Sequence, residues 1–366
     1  MIESAELPPA EKVAVNVGYL RLTDSAPFLI AREMGLFERM NLQVELRQEV
    51  SWANVRDKLV AGHLDAAQML APLPAMSTLG ASGVRAAILT GLVLSNNGNA
   101  ITLGQELWDQ GQKLISAGQC ETLLEVIRNY IFVKRRSLTF ATVHAFSTHT
   151  ILLRRWLKSG GIDPDQDVKI IVVPPVQMVD SLQAGIIDGY CVGEPWNTIA
   201  VNQGLGAVVA MGLEIWSGAP EKVLAVDAQW HRQHPNTHLR LRIALLQACA
   251  WLAQAKNVAK AAQILGKAEN LDLPVESILP SLTGALRLHM TLPNQNIPDF
   301  HLFYGKEVNC PGQESAVALV EECAKLIGKP LSRSRLSALA SQTFREDLYL
   351  DACREVNALG AHTVPQ

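Results

Sequence analysis

The feature that most constrains this chain is a short alternation of β-rich and helix-patterned runs, closed by Gly or Asn turns, that occurs twice. The first series runs KVAVNVG (12–18), APFLIAREMG (26–35), LQVEL (42–46), WANVRDKLVA (52–61, entered through Ser51), AAQML (66–70) and AAILTGLVLS (86–95). The second runs LTFATV (138–143), a helix over 148–159 closed by Gly160-Gly161, VKIIVVP (168–174), VQMVDSLQAG, IIDGYCVG (186–193), PWNTIAVNQG and AVVAM (207–211). Strands alternating with helices demand an α/β fold with a largely parallel sheet. Asn96-Asn97-Gly98-Asn99 reads as a turn cluster, and Leu114–Tyr130 carries helical apolar spacing. From about Pro235 the pattern is mostly helical to the end.

A chain of 366 residues is long enough for two cores. The expected organisation is discontinuous: residues 1–105 plus 225–366 as lobe one, 106–224 as lobe two, with a ligand cleft between them. Clefts at domain interfaces and strand ends are where small ligands bind.

Composition removes several function classes. The net charge is −3 and aromatics are 5% of residues, so neither a basic phosphate-binding surface nor a stacking platform for bases is expected. Glu3, Glu6, Glu11 and Pro8-Pro9 stand where a secretory signal needs an apolar run. No window approaches the roughly 18 apolar residues of a membrane span. The expectation is a cytoplasmic protein with no membrane association. Six cysteines (120, 191, 249, 310, 323 and 353) are scattered without a CxxC pair, as free thiols in a reducing compartment are.

Catalytic motifs are missing. There is no GxGxxG after a strand, no Walker A sequence and no GxSxG, so the chain is expected not to be an enzyme and to carry no cofactor. HRQHPNTH (231–238) has metal-compatible spacing, but Pro235 and Asn236 favour a polar loop capping a helix; no metal site is expected. Lys134-Arg135-Arg136 reads as a solvated helix end. Glu194 follows an apolar strand, either capping the next helix, with Pro195 at its first position, or lining a cleft. Lys222, before an apolar run, reads by itself as a solvated edge residue, and Trp52 as a core anchor. His149 stands in the first turn of the 148–159 helix. It could be a core histidine, a metal ligand, a general base or a donor to an anion at the helix N-terminus.

Together these blocks form a pattern. LTDSAP (22–27), SWANVRDKL (51–59), DAAQMLAPLP (65–74), NNGNAI (96–101), STH (147–149), VPPVQMVDSL (173–182), DGYCVGEPWN (188–197) and PEKV (220–223) occur in this order. Over residues 12–345 the chain resembles the NrtA/CmpA family of nitrate- and bicarbonate-binding proteins of ABC transporters. With no export signal and no long C-terminal tail, it is similar to the NasS-type cytoplasmic nitrate/nitrite sensors of that family. The resemblance implies a two-lobed, periplasmic-binding-protein-like clamp of type II with a helical C-terminal return. It implies nitrate-binding residues Trp52, Asn99, His149, Pro175 and Lys222, with Thr23, Asp24, Gly98, Glu194 and Trp196 lining the cleft. Asn99 stands where the transport proteins typically have Gln. Bicarbonate binders of the family carry an acidic residue in place of the lysine, so Lys222 implies nitrate or nitrite and no metal.

Nitrate offers acceptors only, and a dehydrated site for it needs donors and one compensating cation. The implied partner is an ANTAR-type antiterminator (NasT-like) held until the anion binds, with no direct contact to nucleic acid. A periplasmic nitrate-binding component of an ABC transporter is the alternative. A clamp-fold enzyme of thiamine-pyrimidine synthesis is a third reading, without the cysteine cluster it would need.

Overall fold

A computed structural model of the chain describes residues 7–358 except 82, 134 and 136. In chain order the strands are β1 (Ala14–Tyr19), β2 (Gln43–Gln48), β3 (Ala66–Leu70), β4 (Ile88–Asn97), β5 (Asn99–Gly104), β6 (Thr139–Thr142) and β7 (Lys169–Val172). They continue as β8 (Gly189–Gly193), β9 (Gly206–Met211), β10 (Pro220–Asp227), β11 (Ala285–Arg287), β12 (Asn294–Asn296) and β13 (His301–Leu302). The chain divides into two compact units. Unit 1 holds residues up to Asn96, Gly218–Val275 and those from Leu302 on; unit 2 holds Asn97–Ser217 and Glu276–His301.

Unit 1 is built on a six-stranded sheet of order β13-β4-β10-β3-β1-β2. β1 runs parallel to β2 and β3, whereas β10 runs antiparallel to both β3 and β4. β3 and β4 are buried along their whole length, and β2 alternates at the edge. That difference is legible in the residues: AAQML is nearly continuous in apolar character, as a strand covered on both faces must be. The helix Pro235–Leu252 buries twelve residues around nearly its whole circumference. Two arginines on it are buried by giving their guanidinium protons to backbone carbonyls: Arg240 to those of Leu7 (3.0 Å) and Met40 (2.7 Å), Arg242 to that of Leu348.

Unit 2 has a five-stranded sheet of order β7-β6-β8-β5-β9, with β6 parallel to β7 and β8, and β5 antiparallel to β8 and β9. Its core gathers Ile101, Leu103, Phe140, Leu152, Leu153, Trp156 and Leu157. The helix Thr148–Ser159 supplies four of these. It starts where the Ser147 hydroxyl accepts the Thr150 N–H at 3.0 Å, a cap that stabilises by about 1 kcal/mol.

Several expectations are corrected. Each sheet is mixed: one reversed strand, β10 in unit 1 and β5 in unit 2, joins an otherwise largely parallel set. Residues 97–105 belong to unit 2, not to the 1–105 segment, because β5 pairs with β8 and β9. Residues 276–301 also belong there and include the β11–β12 hairpin, a short strand pair within the mostly helical return. The helical spacing over 114–130 is broken by the positive φ (67°) of Gly118 and by Thr122, which caps a new helix. The helix that the HRQHPNTH loop is expected to cap is present but starts at Pro235, and the stretch before it is helical as well. His231 lies on the helix Ala228–Gln233 and His238 on Pro235–Leu252, with His234 between them. Of the basic triplet, Lys134 and Arg136 lie outside the described residues.

Candidate functional site

In unit 1 the chemistry gathers on β10. Lys222 is fully buried in the middle of the sheet, not at a solvated edge. Its Nζ lies 2.7 Å from Asp24 Oδ2 and 2.6 Å from Glu221 Oε1, and all three side chains are at most 2% exposed. Asp24 is carried by the single turn Thr23–Ser25, which the Ser25 hydroxyl ties down by donating to the Leu22 carbonyl at 2.7 Å. Gln68, the one polar residue of β3, donates from Nε2 to Asp24 Oδ1 at 2.6 Å, and its Oε1 accepts the Leu20 N–H at 3.1 Å. Burial alone would push the Lys222 ammonium down. The charges of Asp24 and Glu221 outweigh it and hold the group above the ordinary lysine value.

Trp52 opens the helix Trp52–Val60, which Ser51 caps by accepting the Asn54 N–H. The indole is fully buried, and Lys222 Nζ stands 5.3 Å from its ring centroid, within cation–π range. Ser95 lies opposite Lys222 in the β4–β10 register. Trp52 Nε1, Thr23 Oγ1 and Ser95 Oγ are buried and have no hydrogen-bond partner among the described residues. Buried polar atoms are rarely left so. Here three donor-capable groups belong to elements that meet at one buried ammonium. The sequence reading named Trp52, Thr23, Asp24 and Lys222; it missed Glu221 and Gln68. A glutamine inside AAQML and a charged pair inside PEKVLAV were the available signals.

In unit 2, the link from β4 to β5 passes through Asn97 (φ 62°) and Gly98 (φ 72°). A Cβ on Gly98 would fall 2.6 Å from the His301 ring, so the position needs glycine on both counts. Asn99 then starts β5 and is not a turn residue; its side chain is buried, with Nδ2 3.5 Å from the Asn97 carbonyl. Gly212 lies directly against it: a Cβ there would fall 1.8 Å from Asn99 Oδ1. Gly212 was not singled out from sequence. His149 is fully buried in the first turn of its helix. Two of the N–H groups expected to face an anion there, those of Thr150 and Ile151, are engaged by the Ser147 hydroxyl (3.0 Å) and carbonyl (3.2 Å). Pro175 is buried at the start of the turn Pro175–Gln177.

Glu194 follows β8, and its N–H donates to the Gly98 carbonyl at 3.0 Å. The Glu194–Pro195 peptide is cis, and the helix begins at Trp196, one residue later than expected. Glu194 Oε2 accepts the Thr198 N–H at 3.1 Å, which is the helix-capping role. Burial pushes its carboxyl up to about 7, against the Thr198 and Asn197 hydrogen bonds. Trp196 is buried, and its carbonyl accepts the Tyr190 hydroxyl at 3.0 Å.

Two further histidines form a separate pair in unit 1. His231 and His238 approach at 3.1 Å between Nδ1 atoms. Burial first, then the nearby Arg242 charge, holds His238 well below the ordinary histidine value. Among the described residues no group of three or more His, Cys, Asp or Glu side chains is arranged to hold a metal ion.

The model of the NMT1-like family matches residues 8–266. The chain is 36% identical over 348 residues to the nitrate import ATP-binding protein NrtC of Synechocystis sp., covering 94% of this chain and 51% of that one. It is equally 36% identical over 348 residues to the bicarbonate transport ATP-binding protein CmpC of the same organism, covering 94% and 50%. The chain thus spans about half the length of these curated relatives. Among solved structures it is similar to the periplasmic nitrate-binding protein NrtA from Synechocystis PCC 6803, with a TM-score of 0.87 and 28% identity, over 98% of this chain and 93% of that one. The fold is the mixed α/β, two-lobed one of periplasmic binding proteins.

Proposed function

The chain belongs to the NMT1-like family, and from that premise we propose that it is a binding protein, not an enzyme, whose ligand is nitrate or nitrite. The observation that carries this is the surroundings of Lys222: a buried ammonium with buried Trp52, Thr23 and Ser95 donors that no described group satisfies. A small oxyanion with acceptors only is what such a set recognises, since each donor would otherwise stay desolvated and unpaired. Relatives named for nitrate and for bicarbonate stand at the same identity, so the choice of anion rests on chemistry. Lysine supplies the charge that a bicarbonate site of the metal-assisted kind would take from an ion. Asn99, His149 and Pro175 are the further proposed contacts, with Gly98, Glu194 and Trp196 as supporting positions.

The finer reading is a cytoplasmic sensor that, when ligand-free, sequesters an ANTAR-type, NasT-like antiterminator and thereby controls nitrate-assimilation genes. The free state of all six cysteines is in keeping with a reducing compartment. If the partner prefers the ligand-free form, anion and partner must weaken each other by the same factor, a coupling of about 1–3 kcal/mol. The printed roles of the relatives, import and transport, favour the other reading, an ABC-transporter binding component. Co-purification from the native cytoplasm with and without nitrate decides. A partner that nitrate releases supports the sensor, and an exported protein with no such partner supports the transporter.

A further inference from the structure

β3 is buried along its whole length between β1 and β10, and four of its five residues are apolar. The fifth, Gln68, is fully buried opposite Leu224 of β10. A primary amide in such a place is costly unless both of its ends find partners. Both ends of Gln68 do, and both partners lie on one short segment. Oε1 accepts the Leu20 N–H at 3.1 Å, and Nε2 donates to Asp24 Oδ1 at 2.6 Å. Turning the amide over would lose both bonds, since a backbone N–H only donates and a carboxylate only accepts.

The segment between these two anchors leads from β1 into the turn Thr23–Ser25. It carries two groups that belong to the surroundings of Lys222. The Thr23 hydroxyl is buried with no hydrogen-bond partner among the described residues, and Asp24 Oδ2 lies 2.7 Å from Lys222 Nζ. A single turn of three residues holds its side chains weakly by itself. The amide from β3 fixes this one against the same sheet that carries Lys222. We propose that Gln68 is a positioning residue of the anion site: it staples residues 20–24 to β3 and so sets where the Thr23 hydroxyl stands relative to Lys222. This rests on the anion-binding reading above.

The test is calorimetric titration of nitrate at pH 8 into the full chain, Gln68→Met and Gln68→Glu, with thermal melts of each ligand-free protein. Methionine keeps most of the volume without the hydrogen bonds. Glutamate keeps the shape and the acceptor for Leu20, but it has no donor for Asp24 and adds a charge beside it. The expected result is nitrate binding about tenfold weaker in Gln68→Met, as for outer partners that orient ligand groups at other sites, and weaker still in Gln68→Glu. A residue that served packing alone would rank the two the other way. In a Thr23→Val background, which has already lost the hydroxyl, Gln68→Met should cost clearly less, because its effect runs through Thr23. A lower melting temperature with unchanged nitrate Kd in both variants overturns the proposal and leaves the anion reading standing. So does a full loss retained in the Thr23→Val background. Amide hydrogen exchange on the parent protein serves if neither variant folds: nitrate should slow exchange across residues 20–25, and unchanged exchange there overturns the proposal. Failure of the parent protein to bind nitrate or nitrite removes the anion reading and this proposal together.

Discussion

Replacing Lys222 by methionine keeps most of the side chain's apolar stem and removes the buried ammonium that pairs with both Asp24 and Glu221. Both carboxylates are at most 2% exposed and stand within 2.7 Å of the lost ammonium, so no solvent screening softens the change. Removing one partner of a buried ion pair costs about 3–5 kcal/mol, a large share of the 5–15 kcal/mol typical of a folded domain. The sign with pH follows from the orphaned pair. Two adjoining carboxylates without a cation hold a proton more tightly than in the unfolded chain, so the variant regains stability as pH falls. Urea unfolding followed by circular dichroism at pH 8 and pH 5 is the assay. The expected loss is about 3–5 kcal/mol at pH 8 and clearly less at pH 5. Placing Lys222→Met in a Glu221→Gln, Asp24→Asn background should make it nearly neutral, since nothing charged is then left unpaired. A loss under about 1 kcal/mol, equal at both pH values, would refute the claim that Lys222 is a counter-ion on which these buried carboxylates depend.

Three other perturbations probe different parts of the molecule. Glu194 has a folded pKa of about 7 against an ordinary 4.5, so its ionisation opposes folding progressively as pH rises from 4.5 to 7. Glu194→Gln should remove a pH-dependent penalty of about 3 kcal/mol, read as a variant that gains on the parent protein in thermal melts at pH 8 relative to pH 5. His238 is held well below the ordinary 6.5, so its neutral form contributes stability above pH 6.5 that is lost as pH falls. His238→Gln should flatten that acid limb, and an unchanged limb would show that the His231–His238 pair does not titrate on unfolding. Gly212→Ala places a methyl 1.8 Å from Asn99 Oδ1, and the movable group is the end of the asparagine side chain. The expected result is a melting temperature within a few degrees of the parent protein and nitrate affinity about tenfold weaker, or about 1.4 kcal/mol; unchanged affinity would remove Asn99 from the proposed contacts.

What could be read from sequence was what local physics decides. The helix Thr148–Ser159 is bounded as expected because a serine cap, an amphipathic run and a terminal Gly-Gly all act within a turn of the chain. β1, β3 and β9 likewise follow from short apolar runs between turn residues. Strand direction was not legible, because it depends on which distant strand becomes the neighbour: nothing within PEKVLAVD says that it will lie antiparallel between β3 and β4. β5 was hidden for a local reason, since Asn96-Asn97-Gly98-Asn99 looks like a loop when only Asn97 and Gly98 make the turn and Asn99 already pairs with Gly193. Taken by itself, Lys222 reads as a solvated residue, because the partner that lets it be buried, Asp24, lies 198 positions earlier in the chain. Pro235 and Asn236 read as the loop before a helix that begins near Thr237 because they are turn formers, whereas proline also suits the first turn of a helix, and the helix starts at Pro235. The residues that carry the proposed chemistry came chiefly from the ordered set of motif blocks; their burial and mutual distances belong to the fold.

The central claim is that the buried Lys222 cluster takes a nitrogen oxyanion. Titration calorimetry of nitrate, nitrite and bicarbonate, the last with and without calcium, into the parent protein and Lys222→Glu tests it most directly. The expected result is saturable binding of nitrate or nitrite by the parent protein, loss of that binding in the variant, and no calcium-dependent bicarbonate binding by the parent protein. Bicarbonate binding that requires calcium, or nitrate binding that survives Lys222→Glu, would contradict it.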